Sequence, residues 1–388
     1  MTSRERLLAA ISHAAVDYVP CSFMIFDALR AESHDDLDFV SRQVEMGLDP
    51  LVEIATWKTG VGPDNGDLPG PPLHFDAAVM VTDRVEDTGA GRIIHRRYDT
   101  PAGPLTAAVE WTSEWELGPR VPLFEDYFIP RARKFLLETD EDLDRLPYLL
   151  VPVNSESRAR LEKMAAPKQE FARHRGLALA AAMGVGLEAA SWLCGYDGMI
   201  WAAMDRPEWL DRFVEIVHDW NFSRMEVMLE LGADIFIRRG WYEGTDFLSP
   251  AHFRRFVLPS LQAEVRLARA AGAKFAYINT SGTMPVLDML MEAGVDVLIG
   301  VDPVQGKGTD MACMREQTRG RMALWGGVNG FVTVERGSAK EIEHAVQLAM
   351  RALGPEGFIL SPVDNVRDTS EQTQRNVQTF IKAWKKNR

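Results

Sequence analysis

The sequence predicts a single-domain α/β fold, a (β/α)8 TIM barrel with a small antiparallel β insertion after the second strand. Three observations predict it. Eight short, mostly apolar segments suit strands that are buried on both faces. Helical patterns lie between most of these segments, and a glycine follows most of the predicted helices. Such a barrel needs about 250 residues, so a chain of 388 residues has room for an insertion.

The predicted strands and helices alternate along the chain. The strands cover residues 19–26, 51–57, 177–183, 234–238, 274–278, 295–300, 322–326 and 358–361. The helices cover residues 3–13, 36–46, 207–231, 250–271, 283–293, 339–353 and 370–386. Left-handed C-terminal caps are expected at Gly47, Gly232, Gly272, Gly294 and Gly354. A doubly wound open sheet is disfavoured, because no glycine-rich phosphate turn follows the first strand.

The insertion is predicted at about residues 60–175, inside one domain that spans residues 1–388. Its strands are predicted at 77–81, 92–98 and 105–111, where apolar and polar residues alternate around glycine-containing turns. A helix is expected over residues 155–174, at the end of the insertion.

Composition and charge exclude several classes of protein. Apolar residues make up 46% and charged residues 26% of the chain, which is typical of globular proteins. A formal net charge of −13 without a Lys/Arg cluster argues against nucleic acid and anionic membranes as partners. No apolar run approaches the ~20 residues of a membrane span. Cys21, Cys194 and Cys313 form neither a metal motif nor a disulfide framework, so we expect a cytoplasmic protein.

Polar residues follow several predicted strands, and the active site of a (β/α)8 enzyme lies at the carboxyl ends of its strands. The residues selected there are Arg238, Arg239, Trp241, Tyr242 and Glu243 after the fourth strand, Asn279 and Ser281 after the fifth, Asp302 after the sixth, Asn329 after the seventh and Asp364 after the eighth. Glu53 and Lys58 near the second strand are secondary candidates, and Trp57 is interpreted as packing.

These residue types suggest how a substrate could be bound and changed. An arginine pair such as Arg238 and Arg239 can hold a carboxylate or phosphate, and an indole can stack on a flat ligand or a cation. Glu243 and Asp364 are the predicted catalytic acid–base groups, because neighbouring carboxylates in a dry site raise one pKa. Two other interpretations remain open: the arginines form only salt bridges, and Asp302 only caps a turn.

Several motifs resemble the superfamily of uroporphyrinogen decarboxylases and methylcobamide:coenzyme M methyltransferases. The motifs are residues 4–10 (RERLLAA), 18–20 (YVP), 248–250 (LSP), 294–298 (GVDVL), 326–328 (GGV) and 360–362 (LSP). The resemblance covers most of the chain, is strongest from Gly232 onward and implies a TIM barrel.

The methyltransferase branch of this superfamily holds a thiol-activating zinc ion with a His-x-Cys pair and a later Cys. The corresponding positions here are residues 279–281 (NTS) and Asp364. Amide, hydroxyl and single carboxylate groups are poor zinc ligands. We therefore expect no metal and no bound zinc, and the resemblance leaves a corrinoid or its carrier protein as the candidate cofactor or partner.

The decarboxylase branch binds tetrapyrrole carboxylates with an arginine-rich loop after the first strand and uses a late His. Here residues 24–30 supply only Arg30, and the late His position is Asp364. An octacarboxylate would be poorly held without the arginine pair. The resemblance therefore implies a divergent member with a different substrate.

Three functions follow from this interpretation. The first is a zinc-independent methyltransferase or demethylase, with a corrinoid as its candidate cofactor. The second is a metal-free decarboxylase acting on a smaller carboxylic acid held by Arg238 or Arg239. The third is a barrel that binds a ligand without catalysis. In each case the expected ligand is a small, anionic molecule, and a homodimer is compatible with the sequence.

Overall fold

The structure is a computed structural model that describes residues 1–55, 66, 68, 70–89 and 91–388. Trp57 and Lys58, which the sequence analysis singled out, lie outside the described residues. Within these residues the strands are β1 (Leu51–Glu53), β2 (Met80–Asp87), β3 (Arg92–Thr100), β4 (Gly103–Trp111), β5 (Ala132–Lys134), β6 (Ala178–Gly184), β7 (Ile235–Arg239), β8 (Lys274–Ile278), β9 (Val297–Val301), β10 (Ala323–Asn329) and β11 (Phe358–Val363).

Seven of these strands form one curled parallel sheet in the order β1-β6-β7-β8-β9-β10-β11. The order follows the chain, as expected when each crossover returns to the neighbouring position. Strands β7, β9, β10 and β11 are buried along their whole length. The prediction of an α/β fold is confirmed, with seven strands in the described part of this sheet rather than eight.

The predicted first strand, residues 19–26, is the one that is missing from this sheet in the described residues. This segment makes two isolated parallel bridges, Cys21 with Leu360 and Ile25 with Asn365. The indole N–H groups of Trp384 and Trp325 donate to the carbonyls of Val19 and Ser22, each at 2.8 Å. The Leu360 N–H donates to the Pro20 carbonyl, but the next donor position on β11 is Pro362, which has no N–H. No continuous ladder forms, and the prediction of a regular strand was wrong.

A separate antiparallel sheet has the strand order β2-β3-β4-β5. It confirms the predicted antiparallel insertion, although β2 begins three residues later than the predicted start at residue 77 and runs to Asp87. The short fourth strand, β5, was not predicted.

The helices are α1 (Ser3–Ile11), α2 (Asp27–Ala31), α3 (Asp36–Met46), α4 (Asp140–Arg145), α5 (Ser155–Arg175), α6 (Ala189–Leu193), α7 (Gly195–Asp205), α8 (Pro207–Glu230), α9 (Pro250–Phe256), α10 (Leu258–Ala270), α11 (Leu287–Ala293), α12 (Met311–Thr318), α13 (Ala339–Leu353) and α14 (Glu371–Asn387). Helices α3 and α13 have the predicted bounds. The predicted helix 250–271 is divided into α9 and α10, because Pro259 in the first turn of α10 has no N–H to continue a helix.

The predicted left-handed caps are present at four glycines. Gly47 and Gly294 have φ values of 83° and 85°, and Gly232 and Gly272 also have positive φ. The cap predicted at Gly354 was wrong, because this residue is extended with φ −77° and ψ −179° and precedes Pro355. A residue before proline is biased toward extended conformations.

The chain divides into two compact units. One consists of Met1–Ile54, Met164–Ala181 and Leu229–Arg388, and the other of Ala55–Lys163 and Ala182–Met228. The prediction of one domain over residues 1–388 remains a prediction. No helix in the described ranges is both long enough and apolar enough to cross a membrane.

Candidate functional site

The candidate site lies at the carboxyl ends of strands β7 to β11, all in the first unit. The loops that follow these strands pack closely through glycines. A Cβ atom on Gly244 would lie 2.2 Å from the Ser281 carbonyl oxygen, and one on Gly306 would lie 2.9 Å from that of Thr280. A Cβ on Gly330 would similarly lie 2.7 Å from the carbonyl oxygen of Val363. Because real Cβ contacts are never this short, these loops approach one another only where the residue is glycine.

Asp302 and Asn329 form one hydrogen-bonded pair at this edge. The amide nitrogen of Asn329 donates to Asp302 Oδ2 at 2.6 Å and to Gln305 Oε1 at 2.7 Å. The other carboxylate oxygen of Asp302 accepts from the backbone N–H groups of Val304 and Gln305, at 2.8 and 3.1 Å. Both residues are buried. Asp302 therefore does cap a turn, and it also anchors Asn329.

Asp364 directly follows β11 and has unusual geometry. Its φ of 65° places a non-glycine residue in the left-handed region, which is uncommon outside functional or constrained positions. The side chain is half-buried. Burial raises the pKa of the Asp364 carboxyl; Arg367 opposes this rise, while Asp302 and Glu335 add to it. This carboxyl group can therefore carry a proton closer to neutral pH than an ordinary aspartate.

Arg238 and Glu243 form part of a buried ionic network. Arg238 Nη1 donates to Glu243 Oε2 at 2.7 Å, and Arg238 Nε lies 3.0 Å from Glu264 Oε2. The Tyr277 hydroxyl donates to the same Glu243 oxygen at 2.7 Å. Burial alone would lower the pKa of Arg238, but the two carboxylates outweigh it and hold the pKa above its ordinary value.

This network does not fit the roles predicted for its members. Arg238, Glu243 and Glu264 are each 0% exposed. Glu264 lies on α10, so the Arg238 side chain extends toward the helix layer. Glu243 is held by two donors of the chain itself. A substrate-binding role for Arg238 and an acid–base role for Glu243 would both require these contacts to break.

Arg239, Trp241 and Tyr242 follow the same strand. Side chains alternate along a strand, so Arg239 lies on the opposite face from Arg238. Its guanidinium carbon lies 4.8 Å from the centroid of the Trp241 ring, within the range of a cation–π contact. Tyr242 packs edge-on against Phe247, with 5.6 Å between the ring centroids.

Asn279 and Ser281 belong to the loop after β8. Asn279 Oδ1 accepts from the Thr283 hydroxyl at 3.0 Å and from the Ser281 N–H at 3.3 Å. Its amide nitrogen is buried and has no hydrogen-bond partner in the described part of the chain. The Ser281 hydroxyl donates to Asp246 and accepts from the backbone N–H of Lys307 at 3.0 Å.

Glu53 ends strand β1, at the same edge of the sheet. Its Oε2 atom is buried and, among residues that the structure describes, has no hydrogen-bond partner. Burial raises the pKa of this carboxyl, opposed by Arg30 and Lys168. Glu53 thus remains a secondary candidate.

Comparison with known proteins identifies the family. The uroporphyrinogen decarboxylase (URO-D) family matches residues 114–386, well over half of the chain. The chain belongs to this family. The predicted relationship to the superfamily is therefore confirmed.

Two solved structures are similar to this chain in fold. A methyltransferase from Methanosarcina mazei matches with a TM-score of 0.61 and 17% identity, covering 100% of this chain and 99% of the other. A B12-independent methionine synthase from Shewanella sp. W3-18-1 matches with a TM-score of 0.47 and 9% identity, covering 95% and 97%. A search of curated proteins finds no match. Membership of this family confirms the prediction of an enzyme.

The zinc position of the URO-D methyltransferases is occupied here by residues of different chemistry, residues 279–281 (NTS) and Asp364. The oxygen atoms of Asn279 and Ser281 already bind groups of the chain, and an amide nitrogen is not a zinc ligand. No group of three or more His, Cys, Asp or Glu residues arranged for a metal occurs in the described ranges. The residues at this position do not fit a zinc ion.

The sequence analysis did not select several residues that contact the candidate site residues. Glu264 and Tyr277 lie in a helix and a strand that looked like ordinary packing elements, and Asp246 lies in the loop 240–248. Glu335 accepts the backbone N–H groups of Arg367 and Asp368 at 2.6 and 3.1 Å. No spacing in the sequence connects these residues with their partners.

Gly300 is expected to be required for the position of Asn279. Its φ is 114°, and a Cβ atom there would lie 2.7 Å from the Asn279 carbonyl oxygen. Gly300→Ala should therefore lower the free energy of unfolding in urea by about 1–3 kcal/mol more than Gly308→Ala, the scale of overpacking. Gly308 is the matched control, because it also has positive φ (73°) but no atom within 4 Å of its Cβ position. Equal losses in the two variants would contradict the close contact.

Proposed function

We propose that this protein is a zinc-independent methyltransferase or demethylase, in which Asp364 donates a proton to the leaving group. The observation that carries the proposal is the Asp364 carboxyl: half-buried, in a left-handed backbone at the carboxyl end of β11, with its pKa raised. A group in this state is suited to hold a proton and release it to a substrate. The fold shared with the M. mazei methyltransferase is compatible with methyl transfer.

The proposed reaction is a nucleophilic displacement at a methyl group. The acceptor nucleophile forms a bond to the methyl carbon, while the bond from that carbon to an oxygen or nitrogen atom of the substrate breaks. The electron pair of the broken bond stays on the heteroatom, which takes the proton of Asp364. The carboxylate then recovers a proton from solvent. Asn329 and Asp302, which are locked together, would position the loop beside this group.

Arg239 and Trp241 are the proposed contacts for the anionic part of the substrate. They lie on the opposite face from Arg238, which we assign to the internal network. The amide nitrogen of Asn279 is proposed to donate to a substrate oxygen, because a buried donor without a partner is costly unless a ligand satisfies it. Tyr242 and Ser281 are proposed to shape the same side of the site.

Closure of the parallel sheet into a barrel is also part of the proposal. The segment of residues 20–25 bridges to β11, and the Cys21 carbonyl accepts the N–H of Asp49 at 2.8 Å, two residues before β1. These contacts would place the segment between the two outer strands. The site would then lie in a barrel mouth, where water is excluded.

The experiment uses chemically reduced cobalamin, cob(I)alamin, as the methyl acceptor. The purified protein is incubated with panels of methyl ethers and methylated amines that carry a carboxylate, and the loss of cob(I)alamin absorbance is followed together with release of CO2. Methylation of cob(I)alamin without release of CO2 supports the proposal. If the enzyme requires a corrinoid carrier protein, adding that carrier protein should increase the rate of methyl transfer. Release of CO2 without methyl transfer would establish the decarboxylase instead.

Once a substrate is found, the rate should fall as pH rises through the pKa of Asp364, because only the protonated carboxyl can donate. The side chain of Arg367 lowers this pKa and is exposed, whereas its backbone N–H binds Glu335 independently. Arg367→Gln should therefore raise the pKa and move the alkaline limb of the kcat profile to higher pH. An unchanged profile would contradict the assignment of Asp364.

A further inference from the structure

A second group of polar side chains lies at the amino end of the parallel strands, away from the edge that carries Asp364. His13 follows α1, Arg315 lies on α12, and Gly357 immediately precedes β11. All three belong to the same compact unit. They are not part of the proposed chemistry.

Both side chains converge on Gly357. A Cβ atom at this position would lie 2.3 Å from His13 Nδ1 and 3.3 Å from Arg315 Nη1, and the glycine φ is 60°. His13 itself has φ 54°, so its ring is presented from a left-handed turn that most residues avoid. The imidazole and the guanidinium are therefore brought together by two unusual backbone positions.

Each side chain has a buried nitrogen without a partner. Arg315 is 8% exposed, and neither its Nη1 atom nor His13 Nε2 has a hydrogen-bond partner in the part of the chain that the structure describes. A buried donor without a partner costs about 1–3 kcal/mol, and more when the group is charged. An imidazole and a guanidinium that meet at Gly357, each with such a nitrogen, indicate that a ligand completes this site.

The surrounding charges favour an anion. Burial lowers the pKa of His13, and the positive charges of Arg315 and Lys274 lower it further. Burial also lowers the pKa of Arg315, with Arg319 acting in the same direction. Glu356 is exposed and is the carboxylate that opposes both shifts among the described residues. Lys274 is paired with Asp296 at 3.4 Å, so Arg315 and Arg319 are the cations that face the solvated Glu356 here, in a chain whose net charge is −13.

We propose that His13 and Arg315 bind a tetrahedral oxyanion, a phosphate or sulfate that is free or forms the terminal group of a small metabolite. Guanidinium groups bind such anions through charge-assisted, often bidentate hydrogen bonds, and an imidazole N–H adds a second donor. The ligand binds at the amino end of the strands and has no part in proton transfer by Asp364.

The test is calorimetric titration of the full chain with inorganic phosphate, at constant ionic strength set by chloride. Saturable binding of one phosphate per chain is expected, together with a rise in the Tm. Arg315→Gln should weaken binding roughly tenfold or more, because it removes a charge-assisted hydrogen bond. His13→Asn, which tolerates positive φ, should weaken binding as well. Arg351→Gln, on the exposed side of α13, is the matched control and should bind like the wild type.

Parallel titrations with glycerol phosphate and with acetate identify the form of the ligand. Tight binding of either phosphate supports the proposal and distinguishes a metabolite group from free phosphate. Binding of acetate alone, no saturable binding by the wild type, or unchanged phosphate binding by Arg315→Gln would overturn it. The near-ultraviolet circular dichroism of each variant reports whether it is folded. If Arg315→Gln does not fold, the phosphate affinity of His13→Asn tests the site.

Discussion

Asp364→Asn is expected to slow turnover roughly 100-fold or more and at the same time to raise the free energy of unfolding at pH 7. The amide keeps the shape of the side chain and tolerates the left-handed backbone, but it cannot donate a carboxyl proton. The gain in stability follows from the raised pKa. Above that pKa the folded state holds a charge that burial disfavours; this cost shrinks as pH falls below the raised value and is gone below the ordinary aspartate pKa.

The two effects of Asp364→Asn can be separated from a general disturbance of the loop. Asp368 is four residues further along, and its pKa is lowered by hydrogen bonds from Ser370 and Thr373. Asp368→Asn should therefore lower the free energy of unfolding, and this loss should be present above the ordinary aspartate pKa. Turnover should stay nearly normal. Urea denaturation at pH 5 and 7 and a turnover assay measure both. Near-normal turnover of Asp364→Asn would contradict the proposal that Asp364 donates the proton.

Arg238→Ala is expected to lower the free energy of unfolding by about 3–5 kcal/mol, because it removes a buried cation that contacts two buried carboxylates. Glu243 and Glu264 are both 0% exposed, and each lies within 3.0 Å of an Arg238 nitrogen. This loss of unfolding free energy is several times larger than the loss expected when an exposed arginine that only contacts substrate is replaced.

Arg254→Ala is the matched control for this experiment. Arg254 also pairs with a glutamate, Glu292 at 3.1 Å, but the two side chains are 56% and 46% exposed. Its removal should cost less than about 1 kcal/mol. If Arg238→Ala instead unfolds like the wild type and only loses ligand affinity, Arg238 is a substrate contact and the internal network is not needed for stability.

The fold was largely predictable because it depends on local signals. Short apolar runs marked the strands of the parallel sheet, and glycines marked helix ends such as Gly47 and Gly294. The errors occurred where residues far apart in the sequence determine the local backbone structure. Residues 19–26 have the composition of a strand, but Pro362, more than 300 residues away on β11, has no N–H to continue the ladder. At Gly354 the following proline overrides the usual cap.

The site was less predictable, since strand ends indicate position but not side-chain partners. Arg238 and Arg239 are adjacent and chemically identical, yet alternation along β7 sends the first to Glu264 on α10. That partner lies 26 residues away with no motif between them. Asp364 could be selected from its position after the last strand, but its left-handed backbone and its neighbours Asp302 and Glu335 depend on the folded loops.

The hydrogen bond from Trp384 to Val19 also bears on how the chain folds during synthesis. It joins residues that are 365 positions apart, and the Met24 N–H binds the Ser361 hydroxyl across 337 positions. Contacts of such separation slow folding, because loop closure costs entropy before any contact compensates for it. A nascent chain can therefore form helices and local hairpins on the ribosome, but residues 19–25 must wait for β11 and α14 to leave the exit tunnel. Until then their apolar side chains are open to chaperones.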